Sequence, residues 1–171
     1  RGYEAVAGAY GFACRGCEDN CCLTRFHHHT VLEYALLLEG FKSLDPEGKD
    51  RIKTRAAGVL DAYRKADAAG LAVRMMCPLN QGGLCGLYDR RPMICRLHGL
   101  PHELNPSTGR KVFGPGCGAF DRSCKAHPYI VFDRTPFYLR MADLEQRLRQ
   151  VLGYSQKIKL TVADMVTLSE I

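Results

Sequence analysis

Nine cysteines stand in this chain of 171 residues, and four of them are crowded into the run Cys14-Arg-Gly-Cys17-Glu-Asp-Asn-Cys21-Cys22. Thiolates this close repel one another unless a cation neutralises them, and the Cys-x-x-Cys spacing directs two sulfurs at one centre. The other five all fall between residues 77 and 124: Cys77, Cys85, Cys95, Cys117 and Cys124. The sequence therefore predicts metal binding, with these nine cysteines as the candidate ligands.

The spacing of the cysteines bears on which metal they hold. A structural zinc site commonly uses two Cys-x₂₋₄-Cys pairs, one on each side of the ion. Outside the N-terminal run no second such pair occurs, and the gaps between the downstream cysteines range from 6 to 21 residues. Cys77-Pro78 also resembles the Cys-Pro step of some iron–sulfur loops. These features favour an iron–sulfur cluster of the [4Fe–4S] type, with zinc as the alternative.

The adjacent pair Cys21-Cys22 leaves the number of centres open. In an extended chain neighbouring side chains point to opposite sides, and in a helix they are separated by about 100°. The two sulfurs could therefore serve two different centres. Alternatively, one of them is a buried thiol and only one centre is present.

Composition and charge narrow the class of protein. An odd number of cysteines and the absence of a visible export signal argue against a disulfide-stapled secreted protein, so we expect reduced thiols and a cytoplasmic location. No run of about 18 apolar residues occurs, so we expect no membrane partner. The formal charge of +6 treats cysteine as neutral. Each four-thiolate site would contribute roughly −2, so the basic excess is a weak argument for nucleic acid binding.

Two helices are predicted before the second cysteine group. Thr30 followed by Glu33 resembles a capping box at the start of an apolar helical pattern that continues to Phe41. Asp45-Pro46 then begins a second helix, which ends near Gly70.

Helical periodicity returns only from Pro136 to Leu152, followed by Gly153. The tail from 157 to 171 is expected to form a short strand and a turn of helix. The first 29 residues are predicted to be a loop, and residues 71–128 show no sustained period. The prediction is a mainly α fold: a single domain over 1–171, in which a small helical scaffold carries two irregular cysteine-rich regions, about 12–25 and 77–125, organised around bound metal.

The order of the cysteines resembles a known family. The run Cys14-x₂-Cys17-x₃-Cys21-Cys22, then Cys77-Pro78, then the block from Cys85 to Arg96, Cys-Gly-Leu-Tyr-Asp-Arg-Arg-Pro-Met-Ile-Cys-Arg, is similar to the YkgJ-type cysteine-cluster family. That family has the signature CxxCxxCC followed by C-x-[IL]-Y-x-x-RP-x-x-CR. This chain has one more residue before the doublet, and Leu97-His98 in place of an aromatic after the final Cys-Arg. The resemblance covers about residues 12–125.

The resemblance implies a zinc- or iron-chelating domain, and Cys117 or Cys124 could be its later cysteine. A related flagellin lysine methylase has a similar cysteine domain associated with an iron–sulfur cluster, which implies cluster-dependent protein modification as an alternative function. No S-adenosylmethionine motif is identifiable in this chain, so whether it is an enzyme stays open. A third alternative is a zinc-dependent module that binds a protein partner or nucleic acid.

Several other residues are candidates for the surroundings of the metal. Arg91 and Arg96 flank the second motif, and their guanidinium groups could donate hydrogen bonds to a thiolate-rich cofactor or pair with a carboxylate such as Asp89. The run His27-His28-His29 cannot direct all three side chains at one ion, although two of them could face it. We expect a polar loop there, directly before a helix.

Overall fold

The computed structural model describes residues 2–13 and 21–168, and the candidate ligands Cys14 and Cys17 lie outside these residues. Within the described residues there are seven α-helices, which confirms the prediction of a mainly helical fold. Their bounds are α1 Tyr3–Ala9, α2 Val31–Lys42, α3 Pro46–Ala69, α4 Met93–Leu97, α5 Gly118–Cys124, α6 Thr135–Leu152 and α7 Val162–Thr167. Two antiparallel hairpins pair β1 Asn80–Gln81 with β2 Leu84–Cys85, and β3 His102–Leu104 with β4 Val112–Gly114. Single 3-10 turns span Cys21–Leu23 and Tyr88–Arg90.

The long helices begin and end where capping chemistry predicts. The Asp45 side chain accepts a 2.7 Å hydrogen bond from the Gly48 N–H at the start of α3. Pro46 occupies the first turn, where its missing N–H would have no helical partner. Gly70 ends α3 at φ 65°, and Gly153 ends α6 at φ 61°, in the left-handed conformation that glycine adopts without strain. The predictions for α2, α3 and α6 are confirmed.

The start of α2 differs in detail from a capping box. Thr30 caps the helix, since its hydroxyl oxygen accepts from the Glu33 N–H at 3.2 Å. The Glu33 carboxylate does not bind the Thr30 N–H: one of its oxygens accepts from the Thr30 hydroxyl at 2.6 Å and the other from the Met93 N–H at 2.9 Å. Two of the first N–H groups of α2 are instead bound by Glu145 of α6. The helix is therefore capped partly by a distant residue, which sequence periodicity does not reveal.

Two predictions about irregular regions are corrected. Residues Tyr3–Ala9 form α1 rather than a loop. The side chains of Val6, Ala7 and Tyr10 are buried and pack this segment against the rest of the protein. The segment 71–128 contains α4, α5 and both hairpins in addition to irregular backbone. In the tail the helical part of the expectation is confirmed by α7, whereas the expected short strand is reduced to a single isolated bridge between Leu160 and His28.

The buried apolar side chains form two groups. The first core cluster joins α2, α3 and α7, and its buried members include Leu37, Phe41, Ile52, Ala56, Val59, Tyr63, Leu79, Leu87, Ala163, Met165 and Val166. The second core cluster joins α1 and α5 to the chain around Leu97 and Phe132, and consists of Val6, Ala7, Tyr10, Leu97, Leu100, Phe120, Cys124 and Phe132. In the described part of the chain, every helix is too short or too polar to span a bilayer.

Candidate metal centre

A cavity beside the first core cluster brings together five of the nine cysteines. Its volume is about 70 Å³. The cysteines come from four separate stretches of chain: the 3-10 turn, the segment after α3, strand β2 and helix α4. They are Cys21, Cys22, Cys77, Cys85 and Cys95. The rest of the lining is largely apolar and includes Phe26, Val59 and Pro92.

The other two described cysteines lie elsewhere. Cys117 caps the N-terminus of α5, and its sulfur accepts from the Phe120 N–H at 3.5 Å. Cys124 is buried in the second core cluster, where its thiol donates to the Tyr10 carbonyl at 3.5 Å. Neither lines the cavity. The seven described cysteines are all thiols, with no disulfide among them.

Backbone hydrogen bonds position the cysteines around the cavity. The Cys77 N–H donates to the Cys22 carbonyl at 2.7 Å, which ties the end of the α3 connection to the N-terminal cysteine turn. Cys85 is paired with Asn80 in the first hairpin. Gly82 and Gly83 form the two-residue turn of that hairpin with φ values of 58° and 91°. Positive φ at both positions is what a tight hairpin turn requires, so Gly-Gly was the overlooked sequence signal for this element.

The two arginines of the predicted site have different roles in the structure. Arg91 lines the cavity, with its guanidinium carbon 3.5 Å from the centre of the Tyr88 ring. Arg96 is exposed and braces the turn before α4: its guanidinium donates to the backbone carbonyls of Arg91, at 3.0 Å, and of Asp89. Arg91 therefore brings positive charge to the cavity wall, whereas Arg96 holds the segment that carries Arg91.

The pKa values of the cavity cysteines are shifted in opposite directions. Hydrogen bonds from Cys21 and Cys77, opposed by burial, lower the pKa of Cys22, and the charge of Arg91 lowers it further. The hydrogen bond to Cys22, together with burial, raises the pKa of Cys77 well above its ordinary value. Burial also raises the pKa of Cys85, and raises that of Cys95 to about 12. Of these four cysteines, Cys22 is therefore the one whose thiol loses its proton most readily.

A histidine that the sequence did not single out also lines this cavity. His28 is only 2% exposed, and its Nδ1 lies 3.8 Å from the Glu33 carboxylate. Burial raises the pKa of Glu33, but contacts from His28, Thr30 and the Met93 N–H outweigh it, so this pKa lies below its ordinary value. His28 is held by two backbone hydrogen bonds to Leu160. The alternation of side chains along extended backbone was the available signal that the middle histidine differs from its neighbours.

The side chains as they stand are not arranged as a finished coordination sphere. Within residues 2–13 and 21–168, no group of three or more His, Cys, Asp or Glu side chains has the geometry to hold one ion. The five cysteines therefore share the wall of one cavity without forming a set of metal ligands, and Cys22 is hydrogen-bonded to Cys21 and Cys77.

Comparison with protein-family models, with curated proteins and with solved structures gives no match to this chain. The similarity to the YkgJ-type family is carried by the motif residues themselves and stays a prediction.

Proposed function

We propose that this protein binds a metal centre through cysteine thiolates at the cavity, with a [4Fe–4S] iron–sulfur cluster as the favoured occupant and zinc as the alternative. The observation that carries the proposal is the meeting of five cysteines from four stretches of chain at one cavity. Both an iron–sulfur cluster and a structural zinc ion require up to four cysteine ligands. The cavity therefore has enough sulfur donors for either group.

The size and lining of the cavity favour the larger group. Its volume of about 70 Å³ is several times the roughly 10–15 Å³ needed for one water molecule. An apolar wall of Phe26, Val59 and Pro92 limits water access, which is one of the properties that set the potential of a buried redox group. A redox or metal-handling role agrees with these surroundings.

Binding a cation would change the protonation and the rotamers of the cysteines. Thiols coordinate metals as thiolates, so Cys77, Cys85 and Cys95 would release protons when they bind. The Cys77 side chain would also turn from its hydrogen bond with Cys22 to the cation. Arg91 on the cavity wall would offset part of the negative charge that four thiolates bring.

Anaerobic purification followed by elemental analysis, sulfide determination and a visible spectrum tests the proposal. A brown protein with iron and sulfide in equal amounts supports the cluster, whereas a colourless protein with zinc supports the alternative. A chain that binds neither metal, even after reconstitution with ferrous iron and sulfide or with zinc, overturns the proposal.

Matched cysteine variants then test the location. Cys77→Ser and Cys95→Ser each remove a thiol from the cavity wall, and we expect both to lower the metal content. Cys124→Ala removes a buried thiol from the second core cluster and serves as the control, which should keep the cavity's metal. Equal metal loss in all three variants would contradict a centre at this cavity.

A further inference from the structure

One buried polar atom at the cavity has no role in the fold. His28 Nε2 is shielded from solvent and has no hydrogen-bond partner among the described residues. A buried polar nitrogen without a partner is destabilising, so such atoms are rare unless something else binds them. His28 lines the same cavity as the five cysteines, and its other ring nitrogen faces Glu33. Nε2 is therefore the ring atom available on the side away from Glu33.

The surroundings of His28 hold the ring in one orientation. Its backbone N–H donates to the Leu160 carbonyl at 2.7 Å, and its carbonyl accepts from the Leu160 N–H at 3.0 Å. Glu33 is fixed in turn by the Thr30 hydroxyl at 2.6 Å and the Met93 N–H at 2.9 Å. A carboxylate beside Nδ1 favours the tautomer with its proton on Nδ1 and a lone pair on Nε2. Metal-binding histidines commonly have such a carboxylate behind the ring.

Resting on the proposed function, we propose that His28 Nε2 is a nitrogen ligand of the metal centre at the cysteine cavity, with Glu33 as the positioning residue behind it. The centre then has mixed sulfur and nitrogen ligation. Zinc sites accept histidine beside cysteine, and some iron–sulfur centres also have histidine ligands. Because Met93 lies at the start of the helix that carries Cys95, Glu33 links the histidine to one of the cavity cysteines.

Histidine labelling separates this inference from the proposed function. The protein is produced with ¹⁵N-histidine, loaded anaerobically with ferrous iron and sulfide, and reduced; in the zinc case, cobalt(II) replaces zinc as a paramagnetic probe. Pulsed electron paramagnetic resonance then measures whether a histidine nitrogen is bonded to the metal. We expect a ¹⁵N coupling in the wild type, which requires no variant to fold.

Variants assign that coupling to a residue. His28→Gln should abolish it, whereas His29→Gln, an exposed neighbour whose Nδ1 lies 3.3 Å from the Ile158 carbonyl, should keep it. Glu33→Gln should change the size of the coupling and weaken metal affinity about 10- to 100-fold in a chelator competition. His28→Cys, which offers a thiolate in place of the nitrogen, should retain the metal without the coupling.

The outcomes are distinct. A wild-type protein that binds metal without any ¹⁵N-histidine coupling overturns the role of His28 and leaves the cysteine centre standing. A coupling that persists in His28→Gln belongs to another histidine and also overturns it. A wild-type chain that takes up neither iron nor cobalt overturns both proposals.

Discussion

The Cys77 N–H donates a 2.7 Å hydrogen bond to the Cys22 carbonyl. The two residues are separated by α2 and α3, so this bond closes the helical pair into a loop whose ends meet at the cavity. Both side chains line that cavity. The position of the two sulfurs relative to each other therefore depends on backbone geometry rather than on side-chain contacts alone.

If the cavity holds the proposed metal, its removal should loosen this junction. The proposed metal would connect Cys77, Cys85 and Cys95, and without it the segment 71–97 has no shared ligand between its parts. We expect a chelator to increase amide hydrogen exchange across 71–97, with α6 as the internal control. Hydrogen–deuterium exchange with mass spectrometry measures the change, and identical exchange with and without chelator would contradict a centre at this cavity.

Glu145 is predicted to stabilise the start of α2 from a distance. Its carboxylate accepts from the Val31 and Leu32 N–H groups at 2.8 and 2.9 Å, and it is only 8% exposed. Glu145→Gln removes the charge and one acceptor, leaving a helical N–H unsatisfied. We expect the free energy of unfolding in urea to fall by about 1–3 kcal/mol. The control is Asp143→Asn on the same helix, where an exposed pair with Arg147 should change it by less than about 0.5 kcal/mol.

The cap of α3 should give a pH-dependent contribution to stability. The Gly48 N–H lowers the pKa of Asp45 below its ordinary value of 3.8. A carboxyl group with a lowered folded-state pKa stabilises the fold above 3.8, and this contribution is lost as the pH falls through the folded-state value. Asp45→Asn keeps a capping oxygen but removes the charge. Urea unfolding at several pH values should show the wild type more stable at neutral pH, with the difference shrinking below pH 3.8; a constant difference would contradict this origin.

Two glycines within helices should respond in opposite ways to alanine. A Cβ on Gly58 in α3 meets no atom within 4 Å, so Gly58→Ala should raise the free energy of unfolding by up to about 1 kcal/mol. A Cβ on Gly40 in α2 would lie 2.6 Å from Arg90 Cγ and 3.6 Å from Leu87 Cδ2. Gly40→Ala should therefore displace the 3-10 turn beside the cavity and destabilise the protein. Thermal unfolding of both variants measures the contrast, and stabilisation by both would show that the turn moves without cost.

Capping residues explain why the long helices could be predicted. Asp45, Pro46 and Gly70 mark the ends of α3 through local hydrogen bonds and backbone angles, which depend only on neighbouring residues. The short helix α1 was missed because seven residues carry too little periodicity, and its stability comes from burial of Val6 and Tyr10. A helix with capping residues at its ends can be predicted from neighbouring residues alone. A helix that is stabilised by tertiary contacts can be identified only once the fold is known.

The candidate site also has one part that the sequence predicts and one part that depends on the fold. Cysteine spacing predicted a centre, and five of the nine sulfurs do line one cavity. The separation of Cys117 and Cys124 from that cavity depends on which core cluster each helix joins, which spacing alone does not determine. The burial of His28 depends on its bridge with Leu160, 132 residues further along the chain. Side-chain alternation could therefore separate His28 from its two neighbours, but could not show that it is the buried one.

The wall of the cavity includes Thr161, Val162 and Ala163 as well as the N-terminal cysteine turn. During synthesis the ribosome therefore releases all the cavity cysteines well before the last part of the enclosure exists. Until the segment through α7 docks, this part of the cavity wall is missing, so the proposed metal would have a route to the cysteines from that side. Docking of α7 then completes this part of the cavity wall.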